Sequence, residues 1–158
     1  MKTLAIILLF ALNLSGYCQT VKHDLNGIPK KANKISILNS MTAEENYIQA
    51  GKILVQNGYG LKTSNKEFGQ FETAPKAMKR TKSWTAIFNV VVADSLITVT
   101  GQYTNGVSLS FGSGVTSEAS YYEIKNMGKS GLYDNSAFYE MIDLALKFGA
   151  NIKYTNFY

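Results

Sequence analysis

Apolar residues follow three rhythms along the chain: an unbroken run at the start, a period of about 3.6 in two places, and alternation between them. The helical period appears first in "MTAEENYIQAGKILVQNGYG". Thr42 followed by Glu45 makes a capping box there, Tyr47, Ile48, Gly51, Leu54 and Val55 fall on one face, and Glu45, Gln49, Lys52 and Gln56 on the other. Gly58 can take the left-handed conformation that ends such a helix. From Tyr59 the period drops to two. Tyr59, Leu61 and Thr63 form one arm of a hairpin, Phe71 and Thr73 the other, with a polar turn ending at Gly69. After a basic loop, "APKAMKRTKS", the stretch "WTAIFNVVVADSLITVTGQYTNGVSLSF" predicts three strands turning at Asp94–Ser95 and at Asn105–Gly106. Trp84, Ala86, Phe88, Val90 and Val92 alternate, yet Ile87 and Val91 make the second side apolar too, so this strand is expected to be central.

Upstream of the first helix, "KISILN" predicts a first strand at Ile35, Ile37 and Leu38. The glycine- and serine-rich residues 112–131 hold one edge strand, Ser120 to Lys125. Asp134 or Asn135 then caps a second helix, with Phe138, Met141, Ile142, Ala145 and Phe148 as its stripe and Glu140, Asp143 and Lys147 on the wet face. Gly149 ends it, and "ANIKYTNFY" adds a short terminal strand. Each element has one apolar side to hide. The order β-α-β-β-β-β-β-α therefore predicts an α+β two-layer sandwich, an antiparallel meander sheet with both helices on one face.

The unbroken run, Leu4 to Leu12 behind Lys2, is a signal-peptide core. It falls well short of the roughly 20 apolar residues that a membrane-spanning helix needs. Leu14, Ser15 and Gly16 resemble the start of a lipobox, but Tyr17 stands between them and Cys18, the single cysteine. Ordinary signal peptidase wants small residues at minus one and minus three, and Cys18 and Gly16 provide them. Residues 1–18 are thus expected to be a signal peptide cut after Cys18, leaving a periplasmic or secreted protein that starts at Gln19. The alternative is a lipoprotein anchored at Cys18, which alone would imply membrane association. A mature chain without cysteine has no disulfide, no Cys-rich zinc site and no thiol nucleophile. Residues 19–34, rich in lysine and without periodicity, read as a flexible basic tether, and residues 35–158 as a single domain of a size that stands on its own core.

The helix leading into "GYGLKTSNKEFGQFET" and then a Trp-led hairpin resembles small exported bacterial domains of unknown function with a TATA-binding-protein-like fold, and the domains of the BamC lipoprotein of outer-membrane barrel assembly. The resemblance covers roughly Ile35 to Phe148, departs from the lipoprotein pattern at Tyr17, and implies a non-catalytic envelope role.

Candidate chemistry is sparse. His23, the lone histidine, lies in the tether beside Asp24 and cannot make a metal site or a catalytic base by itself, so neither metal nor cofactor is expected. Glu140 and Asp143, one helical turn apart, have the form of a glycosidase pair, but Lys147 four residues on makes them an ordinary exposed ion-pair ladder. Glu118 and Glu123 fall in the glycine-rich segment, and "FGSGVTS" lacks the third glycine of a dinucleotide loop. One cluster has a binding reading: Lys76, Lys79, Arg80 and Lys82 followed by Trp84, suited to an anionic surface component or an acidic protein face, against the plainer reading of a solvated loop. Tyr121 and Tyr122, two of ten tyrosines, must point to opposite faces of a strand, which leaves one free to be exposed for sugar stacking or protein contact, against the equally ordinary reading of half-buried sheet tyrosines. The leading expectation is a non-catalytic exported domain binding an envelope protein or an anionic surface component, with no nucleic acid. A carrier of a small apolar ligand is the alternative, and a carboxylate-dependent hydrolase comes last.

Overall fold

Two nine-residue strands, β5 (Thr85–Ala93) and β6 (Leu96–Thr104), form the spine of the computed structural model, which describes residues 25–104, 110–111, 115–116, 120–128 and 133–156. They pair antiparallel along their whole length about the Asp94–Ser95 turn, where Ser95 takes a φ of 59°. The register places Ala86, Phe88, Val90 and Val92 on the same side as Tyr103, Val99 and Ile97, and all are buried. Asn89, Val91, Thr98, Thr100 and Gln102 face the other way and remain half-buried or exposed.

Around this spine the remaining strands are β1 (Lys34–Leu38), β2 (Leu61–Asn65), β3 (Gln70–Thr73), β4 (Lys76–Ala77), β9 (Tyr122–Glu123) and β10 (Ile152–Thr155). The eight make one antiparallel sheet in the order β10-β1-β6-β5-β3-β2, with β4 beside β5 and β9 beside β6. Two helices, α1 (Ala43–Gln56) and α2 (Tyr133–Phe148), lie over it: α1 meets β5 and β6, α2 meets β1 and β6, and the helices touch each other. This is the expected α+β architecture, with both helices on one side of the sheet, but the sheet is not a plain meander, because β1 enters between β6 and β10. Gly101, opposite Phe88, makes that packing possible, because a Cβ there would come within 2.9 Å of both Phe88 Cδ1 and Ile124 Cδ1.

Several local expectations are corrected. α1 begins at the capping box, the Thr42 hydroxyl accepting from the Glu45 amide at 3.3 Å, and ends before Gly58 at φ 70°. Its inward face, however, is Asn46, Ala50 and Leu54, flanked by Tyr47 and Ile53, whereas Ile48 and Val55 are 49% and 61% exposed. A buried asparagine at the N-terminal end of the stripe explains the shift. Asn46 Nδ2 donates to the Ala93 carbonyl at 2.8 Å and its Oδ1 accepts from Asn39 at 2.7 Å, so its burial leaves no polar atom stranded. On α2, Asp134 and Asn135 lie inside the first turn and are not the residue before it. Asn135 instead accepts from the Met127 amide, at 3.0 Å.

The segment from Leu25 to Lys34 belongs to the domain, although its polarity reads as a tether. A 3-10 turn at Leu25–Gly27 leads to fully buried Ala32. The Lys31 amide donates to the Asn126 carbonyl at 2.7 Å, and the Asn126 amide returns a bond to Ala32 at 2.8 Å. Its partners lie about a hundred residues away in sequence, which is why composition hides them. Residues 19–24, His23 among them, and Cys18 before them lie outside the described residues, as does the Asn105–Gly106 turn. The strand expected after that turn is β7 (Ser110–Phe111), which pairs with β8 (Val115–Thr116) in a separate ribbon. β6 is already flanked, by β5 on one side and by β1 and β9 on the other. The edge strand expected over Ser120 to Lys125 is real but only two residues long.

Candidate functional site

The residues of the basic stretch are set out by a hairpin, where the composition suggests an irregular loop. β4 pairs with the start of β5, and the chain between them is closed by the Met78 amide donating to the Trp84 carbonyl at 2.9 Å and the Trp84 amide to Thr81 at 2.8 Å. Met78 turns into the core while Lys79, Arg80 and Lys82 stay exposed. The hairpin is also fixed to α2. The Lys79 amide donates to Glu140 Oε1 at 2.8 Å, and the Arg80 guanidinium lies 4.5 Å from the centre of the Tyr139 ring.

Lys76 is not part of this exposed group. Its ammonium donates to the Asn57 carbonyl at 2.6 Å, at the end of α1, and sits 3.9 Å from the centre of the Tyr59 ring. Burial, and then the charge of Lys79, hold it below the usual lysine range. Its role is to satisfy a carbonyl that the helix leaves without a partner.

Trp84 is half-buried and stacks on Tyr103, with ring centres 5.2 Å apart and planes at 21°. Tyr103 is paired across strands with Tyr122, whose ring lies a further 5.6 Å on at 33°. Trp84, Tyr103 and Tyr122 thus form a column that starts at the basic hairpin and ends on β9. The middle ring is buried, but Tyr122 is 50% exposed and its neighbour Tyr121 47%. Of the sequence candidates the fold brings together Lys79, Arg80, Lys82, Trp84 and Tyr122. Tyr103, which joins them, was missed, because only the pairing of β6 with β9 gives it a partner on each side.

Two of the candidate carboxylates have hydrogen-bond partners within the fold. Glu140, expected on a wet face, is buried at 5% exposure, because its carboxylate receives the Lys79 amide. The cleft beside it, between Tyr59, Met78 and Phe88, holds only about 10 Å³, and no sugar ring fits there. Glu123 accepts from Asn33 Nδ2 at 2.7 Å, and Glu118 lies outside the described residues. Among the described residues no three His, Cys, Asp or Glu side chains converge to hold a metal ion, and no helix is long and apolar enough to cross a membrane.

A second concavity, of about 570 Å³, lies between the start of α1 and the turn of the β2–β3 hairpin. Tyr47 and Phe68 line it together with Glu44, Glu67 and Asp94. Three of its polar groups already have partners: Glu44 is joined to Lys66 at 2.7 Å, and Asp94 accepts from the Ala43 amide at 2.7 Å. The one sequence sign of this groove is Phe68, 63% exposed in a polar turn.

No protein-family model matches the chain, and no curated protein matches it.

Proposed function

We propose that this is an exported, non-catalytic envelope domain that binds a surface component at the corner where the β4–β5 hairpin meets the aromatic column. The observation that carries the reading is the column itself: three rings in contact, the last half-exposed, beside three exposed cations. Rings held by their neighbours lose little freedom on binding, and cations attract an anionic partner from a distance. The kinship with BamC-like exported domains belongs to the same proposal and draws its support from element order. A carrier of a small apolar ligand is less favoured, since the cleft between sheet and helices at Phe88 has no room for one.

Export is the other half of the reading, and Tyr17 supports cleavage after Cys18. Intact mass of protein from the native host is expected to start at Gln19. A lipid-modified Cys18 found in the membrane fraction would replace the soluble domain with an anchored one. For the binding half, isolated envelope fractions are expected to retain the wild-type chain, and to release it when Tyr122→Ala is combined with Lys79→Gln and Lys82→Gln. Equal retention of wild type and variant would end the proposal.

A further inference from the structure

Resting on that reading, we infer that the corner binds an anionic oligosaccharide, contacted at Tyr122 by a sugar face and at the hairpin by its acidic groups.

The shape of the column separates ligand classes. A protein partner is usually held by side chains that fill a pocket, but here the protein's own Tyr103 occupies the space between Trp84 and Tyr122. What remains on offer is the outer face of a terminal ring, which suits a flat or CH-rich group that adds one more layer.

Charge and distance narrow the choice further. Lys79, Arg80 and Lys82 lie at the Trp84 end, and Tyr122 at the other, separated by centre-to-centre steps of 5.2 and 5.6 Å. A single sugar spans one such step, so a ligand that uses both ends must be a chain of several. It must also carry negative charge along its length, as a uronate or phosphorylated polymer does. The chain's net charge of +5 favours the same sign of partner.

The single tryptophan gives the test a built-in reporter, since Trp84 is the only one in the chain and forms part of the column. Full-length mature protein is titrated with galacturonate tetramer, galacturonic acid monomer, neutral maltotetraose, an oligothymidylate and phosphatidylglycerol vesicles, by Trp84 emission and calorimetry. The tetramer is expected to bind at least about tenfold more tightly than the monomer or the neutral tetramer. Tyr122→Ala is expected to weaken it about tenfold, in line with the loss of one stacked ring, while Tyr122→Phe retains it. Lys79→Gln with Lys82→Gln is expected to weaken it by a similar factor and to flatten its salt dependence. Equal binding of charged and neutral tetramers, or an unchanged Tyr122→Ala, overturns the inference, as does stronger binding of oligothymidylate or vesicles. If no saccharide binds while the same variants release the chain from envelope fractions, the saccharide class falls and the corner stands. If the variants change nothing in either assay, both fall.

Discussion

Tyr59 experiences burial first and the nearby carboxylates of Glu140 and Asp143 second, and together they push its hydroxyl up to about 12. An unfolded tyrosine ionises near pH 10, so the folded state holds its proton longer. The resulting stability is complete below pH 10 and is lost as pH rises toward 12, where unfolding lets the phenol ionise. Urea midpoints measured across that window should fall more steeply for the wild type than for Tyr59→Phe, which keeps the ring under Lys76 but has nothing to ionise. Glu140 poses the complementary case, a buried carboxylate held by one backbone amide. Glu140→Ala strands the Lys79 amide and should cost about 1–3 kcal/mol in chemical denaturation, whereas Glu140→Gln keeps an acceptor and should cost less. Neither residue could be placed from sequence. Glu140 carries the pattern of a solvated helix face, and only the arrival of the β4–β5 hairpin against α2 buries it.

Among the elements, α1 was the most legible at its ends and the least in its middle. The Thr42 and Glu45 spacing is local and marks the first turn, as Gly58 marks the last. The inward face depends on Asn39 and Ala93, which lie outside the helix and pair with Asn46, so periodicity alone rotated the stripe toward Ile48 and Val55. The first turn receives a second cap from afar, because Asp94 in the β5–β6 turn accepts the Ala43 amide. Thr42→Ala and Asp94→Ala should each lower stability by about 1 kcal/mol, with a detectable coupling in the double variant, since both act on one helical turn. In the spine, Gly101→Ala should cost about 1–3 kcal/mol by overpacking, read as a lower melting temperature, because Phe88, Ile124 and the Ile87 carbonyl all stand within 2.9 Å of the added methyl.

At the scale of the whole molecule, the two-layer plan followed from one apolar side per element, and it was legible for that reason. The candidate site was legible only in part. Lys79, Arg80, Lys82 and Trp84 are neighbours in sequence, but Tyr122 reaches them through Tyr103, across a pairing that no local pattern encodes. The same sheet order predicts a gradient of opening. Amides of β5 and β6 should exchange with solvent most slowly, and those of β2, exposed at every position on the sheet's edge, fastest by mass-detected hydrogen exchange. Finally, the fold brings the segment before β1 against the end of β10: the Asn33 amide donates to the Thr155 carbonyl at 3.1 Å, and Asn156 Nδ2 reaches the Lys30 carbonyl at 3.4 Å. The order in which the polypeptide visits its strands is therefore separable from the structure they make. A circular permutant, with Asn156 joined to Leu25 by a short glycine-serine linker and new ends opened in the exposed turn between Asn65 and Gly69, should fold to the same sheet and melt in one transition, carrying a fusion partner at the far side of the molecule.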